Sequence, residues 1–320
     1  MSALAPWQQR IHDQVLDNLR AGRLGHGLLF AGPAGIGKRQ VALSLARQLL
    51  SQGDATYAAR AGQLIDAGTH PDLHLVSFIP NKSGDKLRTE IVIEQIRQLT
   101  AQLALTPQYG DAQVVIIDPA DAINTAAANA LLKTLEEPAS GRYLWLLSSE
   151  PARLPATIRS RCQQWHFRLP AREQALAWLQ TRGHDPALAA EALEAAKGHP
   201  GLADRWLSGP GWALRGEVDS DLQSLASGRT DAVSLAGRWS GDEHLAERLA
   251  HAADLALERS RQQALADPAQ VTRWAGWFDA ANRTRDLLRT TVRSDLAVIE
   301  LLVAWRAVAS DKAIAPGQSR

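Results

Sequence analysis

The residues whose types and spacing could do chemistry begin with Gly32-Pro-Ala-Gly-Ile-Gly-Lys38-Arg39. Gly32, Gly35 and Gly37 permit positive φ and let backbone N–H groups crowd an anion. Lys38 can reach the β- and γ-phosphates of a nucleotide. The pattern asks next for Ser or Thr, whose hydroxyl holds Mg²⁺. Arg39 stands there instead. Asp118 ends the run Val114-Val-Ile-Ile117. An acidic residue at the C-terminal end of such a strand is the second half of a phosphate-binding-loop site, directed at Mg²⁺. A plain Asp-Pro turn is the competing reading. His70, in Gly68-Thr-His-Pro-Asp72, could be a ligand or a base, but a turn position explains it without a partner. Cys162 could be a nucleophile, but no paired base precedes it, and a small buried residue fits better.

These residues need elements to hold them. The loop lies between an apolar run, Gly27-Leu-Leu-Phe-Ala31, and a helical pattern over residues 39–50, the context a phosphate-binding loop requires. The helix N-terminus adds its dipole to the site. Upstream, Trp7, Ile11, Val15 and Leu19 recur at four-residue steps and predict a helix over 6–21. Residues 51–59 read as polar and irregular, with a short helix at 63–67. Strands are expected at 73–78, 114–118, 143–148 and 164–167, with helices at 90–105, 120–135 and 155–158 between them, and a loop at 80–86. The β-branched run at 114–117 marks a strand buried on both faces, hence a parallel sheet covered by helices. Five strands alternating with helices define an α/β domain ending near residue 168.

Beyond that point the pattern is helical only. Segments 172–181, 186–196 and 201–207 precede Gly209-Pro-Gly211, which reads as a linker. Helices follow at 212–227, 231–239, 242–264, 271–288 and 295–309. Leu245, Leu249, Ala252, Leu255 and Ala256 form one apolar stripe; Leu296, Ile299, Leu302, Val303 and Ala307 form another. Trp239, Trp274, Trp277 and Trp305 are expected between helices or in a subunit interface. Residues 313–320 are expected to fray.

Composition sets the bounds. Apolar residues make up 45% and charged residues 22%, ordinary for a globular protein. A formal charge of +1 gives no global field for nucleic acid, so DNA contacts would be local and to phosphates. One cysteine excludes an internal disulfide and a multi-cysteine zinc site. The N-terminal residues lack the features of a signal peptide, and no run approaches the roughly 18 apolar residues of a membrane span. A cytoplasmic protein without membrane contact fits best.

Gly68-Thr-His-Pro-Asp72, Ala126-Ala-Ala-Asn-Ala-Leu-Leu-Lys-Thr-Leu-Glu-Glu-Pro138 and Ile158-Arg-Ser-Arg-Cys162 together resemble the bacterial clamp-loader branch of the AAA+ ATPases. The resemblance is specific over about residues 24–168 and continues more faintly through the helical remainder. It implies an α/β P-loop AAA+ domain with a parallel five-stranded sheet (1–168), a small helical lid (169–209) and an all-α C-terminal collar (210–320). It implies a five-subunit assembly with gamma/tau and delta subunits. That assembly opens a ring-shaped sliding clamp and places it on primer–template DNA during chromosomal replication. It also implies that Arg161, in the Ser-Arg-Cys motif, is presented in trans to ATP held by an adjacent gamma/tau subunit. A guanidinium matches phosphate oxygens as a fork and stays charged, which suits that role. A surface salt bridge is the competing reading of Arg161, and Arg159 could share the role.

The chain departs from an active AAA+ ATPase at three positions. Arg39 replaces the Mg²⁺-binding hydroxyl. Pro119 follows Asp118 where a glutamate orients the attacking water. Gly201, in Lys197-Gly-His-Pro-Gly201, falls where motor subunits carry a phosphate-sensing arginine. Gly32, Gly35, Gly37, Lys38 and Asp118 therefore form a degenerate nucleotide site, and ATP binding without hydrolysis stays open. No zinc is expected, because residues 56–62 lack the cysteines that many relatives carry there. The expected role is that of a non-hydrolysing subunit contributing a catalytic residue to its neighbour. The alternative is an autonomous ATPase of the gamma/tau or remodelling type. A DNA-binding module has no recognition motif to support it.

Overall fold

The computed structural model describes residues 3–52, 55–81, 84, 87–263, 267–288 and 293–310. The expected fraying at 313–320, and parts of the expected loop at 80–86, lie outside them. The chain divides into two compact units, Met1–Pro186 with Ala196–Leu202, and Ala187–Ala195 with Ala203–Arg320.

In the first unit, α1 (Pro6–Arg20) precedes β1 (Gly27–Ala31), α2 (Lys38–Leu50) and α3 (Ala55–Asp66). Then come β2 (Leu73–Val76), α4 (Ile93–Leu103), β3 (Gln113–Ile117), a 3₁₀ turn (Ala120–Ala122) and α5 (Thr125–Glu136). β4 (Arg142–Ser148), a second 3₁₀ turn (Pro151–Arg153), α6 (Ala156–Arg159), β5 (Gln163–His166) and α7 (Arg172–Thr181) complete it. The five strands pair in parallel in the order β2-β3-β4-β1-β5. Period-two alternation divides their side chains between two cores. Leu28, Phe30, Val114, Ile116, Trp145 and Leu147 face α1 and α2, where Val41, Leu45 and Leu49 meet them. Leu29, Val115, Ile117, Leu144 and Leu146 face the other way, onto Ile96, Leu99, Leu131 and Leu135 of α4 and α5. β1, β3 and the core of β4 are buried on both faces, as continuous apolar runs require.

Several elements differ from expectation. Residues 55–66 form one helix, α3, where an irregular stretch and a short helix were expected. Ala61 and Ile65, four apart, bury one face, and Gly62 lets the Arg47 side chain lie close across the helix. Arg47 Nη1 donates to both oxygens of Asp66 at 2.9 and 2.8 Å. The helix expected at 120–135 starts only at Thr125. Asn124 is its N-cap, accepting from the Ala127 N–H at 2.9 Å, and Ile123 instead bridges Ile91.

The Gly68–Asp72 turn is structural. Asp72 is fully buried and accepts from the backbone N–H groups of Gln108 and Tyr109 at 2.9 and 2.7 Å. His70 Nδ1 accepts from the Asp72 N–H at 3.1 Å, and burial pushes its pKa down against the pull of Asp72.

α8 (Pro186–Ala195) belongs to the second unit from Ala187 on; α9 (Pro200–Ser208) has its first turn in the first unit and the rest in the second, where α10 (Gly211–Ala226) follows after Gly209 and Pro210. α11 (Ala232–Ser240), α12 (Leu245–Gln263), α13 (Pro268–Leu287) and α14 (Ser294–Ser310) follow. The α12 stripe is buried as expected. The α14 stripe is corrected. Val298, Leu301, Leu302 and Trp305 face inward, while Leu296, Val303 and Ala307 are exposed. Trp305 decides the rotation. It packs edge-on against Trp274 and Trp277 at 4.8 and 4.7 Å, donates Nε1–H to the Leu222 carbonyl, and lies under the Arg259 guanidinium at 4.7 Å. All four indoles expected between helices or in an interface are buried within this unit.

Replacing Asp72 with alanine removes the buried carboxylate that two part-buried N–H donors share. Asp72→Ala is expected to lower stability by on the order of 2 kcal/mol, read as a lower urea midpoint, with Asp72→Asn losing less. A midpoint equal to the parent's would remove the anchoring role.

Candidate functional site

Strand register brings the two halves of the site level. Leu29 pairs with Leu146, and Leu146 pairs with Ile117. The loop after β1 and Asp118 after β3 therefore emerge at the same, C-terminal edge of the sheet, with β4 between them. Gly32, Gly35 and Gly37 have φ of 154°, 83° and 106°, and Gly37 is the N-cap of α2. Gly35 and Gly37 lie in the left-handed region that β-carbons disfavour.

Side-chain donors meet four of the loop's carbonyls. Lys38 Nζ donates to the Gly32 and Pro33 carbonyls at 2.6 and 2.9 Å. His199 Nε2 donates to the Ala34 carbonyl at 2.9 Å. Its Nδ1 accepts from the Leu202 N–H, which fixes the tautomer. The Gly35 carbonyl abuts Gly201 so closely that a β-carbon there would collide with it. Trp7 Nε1–H and Gln8 Nε2–H both donate to the Ile36 carbonyl at 3.1 Å. The Gln8 side chain fills the space beside Gly37.

The charges pair within the site. Arg39 Nη1 lies 3.6 Å from Asp118 Oδ2. Burial pushes the Asp118 carboxyl up from the usual range, while Arg39 and Lys38 pull it down and Asp121 adds to the rise. Burial pushes Lys38 down, opposed by Asp118 and Asp121. Asp121 Oδ1 also accepts from the Ser149 N–H at 2.9 Å, tying the turn after β3 to the end of β4. Phosphate fits the donor set of residues 32–38. Mg²⁺ does not, because a guanidinium occupies the coordinating residue's place and holds the carboxylate that would share the metal. Among the described residues no group of three or more His, Cys, Asp or Glu side chains is placed to hold a metal.

Arg161 is not part of this constellation. The Arg161 carbonyl lies 3.1 Å from where a β-carbon on Gly27 would be, at the N-terminal end of β1. The loop leaves the other end, so roughly 13 Å of strand separates the two. Arg161 Nη1 donates to the Thr157 carbonyl at 2.9 Å, and Nη2 lies 2.7 Å from Glu136 Oε1. Its side chain is 36% exposed. Arg159 is half-buried, with its Nε unpartnered. Cys162 is buried, and burial pushes its thiol up to about 12.

Likeness to known proteins bears on this geometry. A family model described as DNA polymerase III, delta subunit, matches residues 7–171. The DNA polymerase III subunit delta' of Pseudomonas aeruginosa is 38% identical over 247 residues, covering 75% of this chain and 72% of that one. The chain belongs to the delta-prime family of DNA polymerase III subunits. The subunit delta' of Yersinia pestis is 33% identical over 268 residues, 81% of this chain and 76% of that one. A DNA polymerase III gamma subunit-related protein from Thermotoga maritima is similar in structure with a TM-score of 0.46 and 16% identity, over 92% of this chain and 99% of that one. Residues 32–38, Asp118 and Arg161 all fall within the matched segment. Among the described residues no helix is long and apolar enough to cross a membrane.

Sequence reasoning missed Trp7, Gln8 and Glu136 as site residues. His199 and Glu136 lie in quoted segments, but nothing in their spacing reveals the carbonyl and the guanidinium they meet. At pH 8 the native Cys162 thiol is expected to react with a thiol-specific disulfide reagent on the order of 10³-fold more slowly than free cysteine. Unfolding in denaturant should abolish the difference; fast reaction in the native state would contradict the burial.

Proposed function

We propose that the chain serves the clamp loader of DNA polymerase III as a non-hydrolysing AAA+ subunit. In this reading it presents Arg161 to ATP bound by a neighbouring gamma/tau subunit while the sliding clamp is loaded onto primed DNA. The AAA+ domain (1–168), the lid (169–209) and the collar (210–320) would hold it in the assembly with gamma/tau and delta. The observation that carries the reading is the Arg39–Asp118 ion pair. It fills with protein charge the place where an active ATPase sets Mg²⁺, and Pro119 has no side-chain acceptor to orient water. Residues 32–38 and Lys38 would hold the phosphates of ATP, which supplies binding energy there and no hydrolysis.

Arg161 suits action on another molecule. It lies at the far end of β1 from its own loop, partly exposed, on a backbone pinned by Ile158 and Cys162, both buried. A guanidinium contributed in this way is worth on the order of 10³–10⁵ in rate where phosphoryl-transfer enzymes use one.

The isolated chain is expected to show no ATP turnover. In a reconstituted loader, Arg161→Ala should fold and assemble normally but slow turnover at the neighbouring site by on the order of 10³-fold, read as a lost fast phase in single-turnover ATP hydrolysis. Normal hydrolysis and clamp loading by that mutant complex would overturn the trans role. Robust turnover by the isolated chain, abolished by Lys38→Ala, would overturn the non-hydrolysing role.

Arg39→Thr frees Asp118 and restores a hydroxyl for Mg²⁺. Nucleotide affinity, measured by calorimetry, should then become Mg²⁺-dependent, roughly tenfold tighter with the metal, while turnover stays absent because Pro119 remains. The sign of the Asp118 shift is also testable. Removing Arg39 removes its lowering influence, so the carboxyl should titrate at higher pH in Arg39→Thr than in the parent, as read by carboxyl-carbon NMR.

A further inference from the structure

Building on the trans role proposed for Arg161, we infer that Glu136 is the positioning residue that holds that arginine in its presented rotamer. Glu136 is the last residue of α5, and its Oε1 lies 2.7 Å from Arg161 Nη2. The Thr157 carbonyl takes the other terminal nitrogen at 2.9 Å. An arginine side chain free in solvent samples many rotamers, and each acceptor that fixes one nitrogen removes most of them. With both terminal nitrogens tied, the guanidinium plane is set before any phosphate arrives.

The carboxylate is badly placed for its own helix. The C-terminal end of a helix carries partial negative charge, so an acidic residue in its last turn is unfavourable. α5 supplies Lys133 in that turn, the residue type such a position favours, and Glu136 beside it. Helix stability therefore does not account for Glu136; the guanidinium opposite does.

Both partners stand on fixed backbone. Leu135, one residue before Glu136, is buried, and its carbonyl accepts from His26 Nε2 at 2.8 Å, where the chain enters β1. Ile158 and Cys162 bury the chain on either side of Arg161. Gly27 has no side chain, and a β-carbon there would press on Leu135 Cδ2 at 3.0 Å and the Arg161 carbonyl at 3.1 Å. The end of α5, the start of β1 and the segment after α6 thus form one close-packed corner. The ion pair spans its outer surface, with side chains 36% and 49% exposed. Such a pair is weak enough to be shared with or exchanged for phosphate oxygens, yet biases the rotamer while no phosphate is near.

The test uses the complete loader, reconstituted with its gamma/tau and delta subunits, sliding clamp and primed DNA, with kcat and KM for ATP measured for four variants of this chain. Glu136→Ala is expected to lower kcat roughly tenfold with KM for ATP unchanged. Glu136→Gln keeps an acceptor for Nη2 and should restore most of the rate. The double variant Glu136→Ala/Arg161→Ala should be no slower than Arg161→Ala alone, because the first residue acts only through the second. If Arg161→Ala slows turnover but Glu136→Ala does not, the positioning role is wrong and the trans arginine stands. If Arg161→Ala itself has no effect, the trans reading fails and the role of Glu136 with it. A rise in kcat on Glu136→Ala, or an extra loss in the double variant, would also overturn the inference, the first by showing restraint and the second by showing a general structural effect.

Discussion

A backbone carbonyl withdrawn from water must find a donor, and four carbonyls of the turn between β1 and α2, those of Gly32, Pro33, Ala34 and Ile36, find one on a side chain. Much of the first unit is arranged around that demand. α1 supplies an indole and an amide to Ile36, the segment Ala196–Leu202 supplies an imidazole to Ala34, and the loop's own lysine serves Gly32 and Pro33. Gly201 and Gly37 are glycines for the same reason: the neighbours that satisfy or cover the loop come too close for a β-carbon.

That arrangement changes the meaning of the site's charges. In an active ATPase the lysine and the strand-end aspartate are complementary to phosphate and metal. Here Arg39 faces Asp118 across 3.6 Å. With side chains 49% and 26% exposed, that pair contributes about 0–1 kcal/mol to folding, so its weight lies in what it displaces. A divalent cation would have to evict a guanidinium already at the carboxylate.

The architecture was largely legible in the sequence because strands buried on both faces announce themselves as continuous apolar runs, at 28–31, 114–117 and 144–147. The phosphate-loop residues and Asp118 could be placed together because strand–loop–helix order implies register. α3 was not legible as one helix: the stretch leading into it is polar and Gly62 interrupts the pattern carried by Ala61, Leu64 and Ile65, while Arg47 of another element holds its last residue, Asp66. The face of α14 was ambiguous because Leu296-Ala-Val-Ile-Glu-Leu-Leu-Val303 is apolar nearly all round, and only the packing of Trp305 selects a rotation. The Gln8–Ile36, His199–Ala34 and Glu136–Arg161 contacts join residues 28, 165 and 25 positions apart. No local pattern encodes such pairs, although two of them lie in segments that had drawn notice for other reasons.

β1 has a mechanical consequence. It is paired by β4 over Gly27–Ala31 and by β5 from Leu28 to Ala31. An extended strand is already near the chain's maximum reach, and shortening it would break two ladders at once. The loop at one end and the Arg161 corner at the other are thus spaced by a strut of fixed length. Whatever happens at either end cannot reach the other as a stretch or a compression.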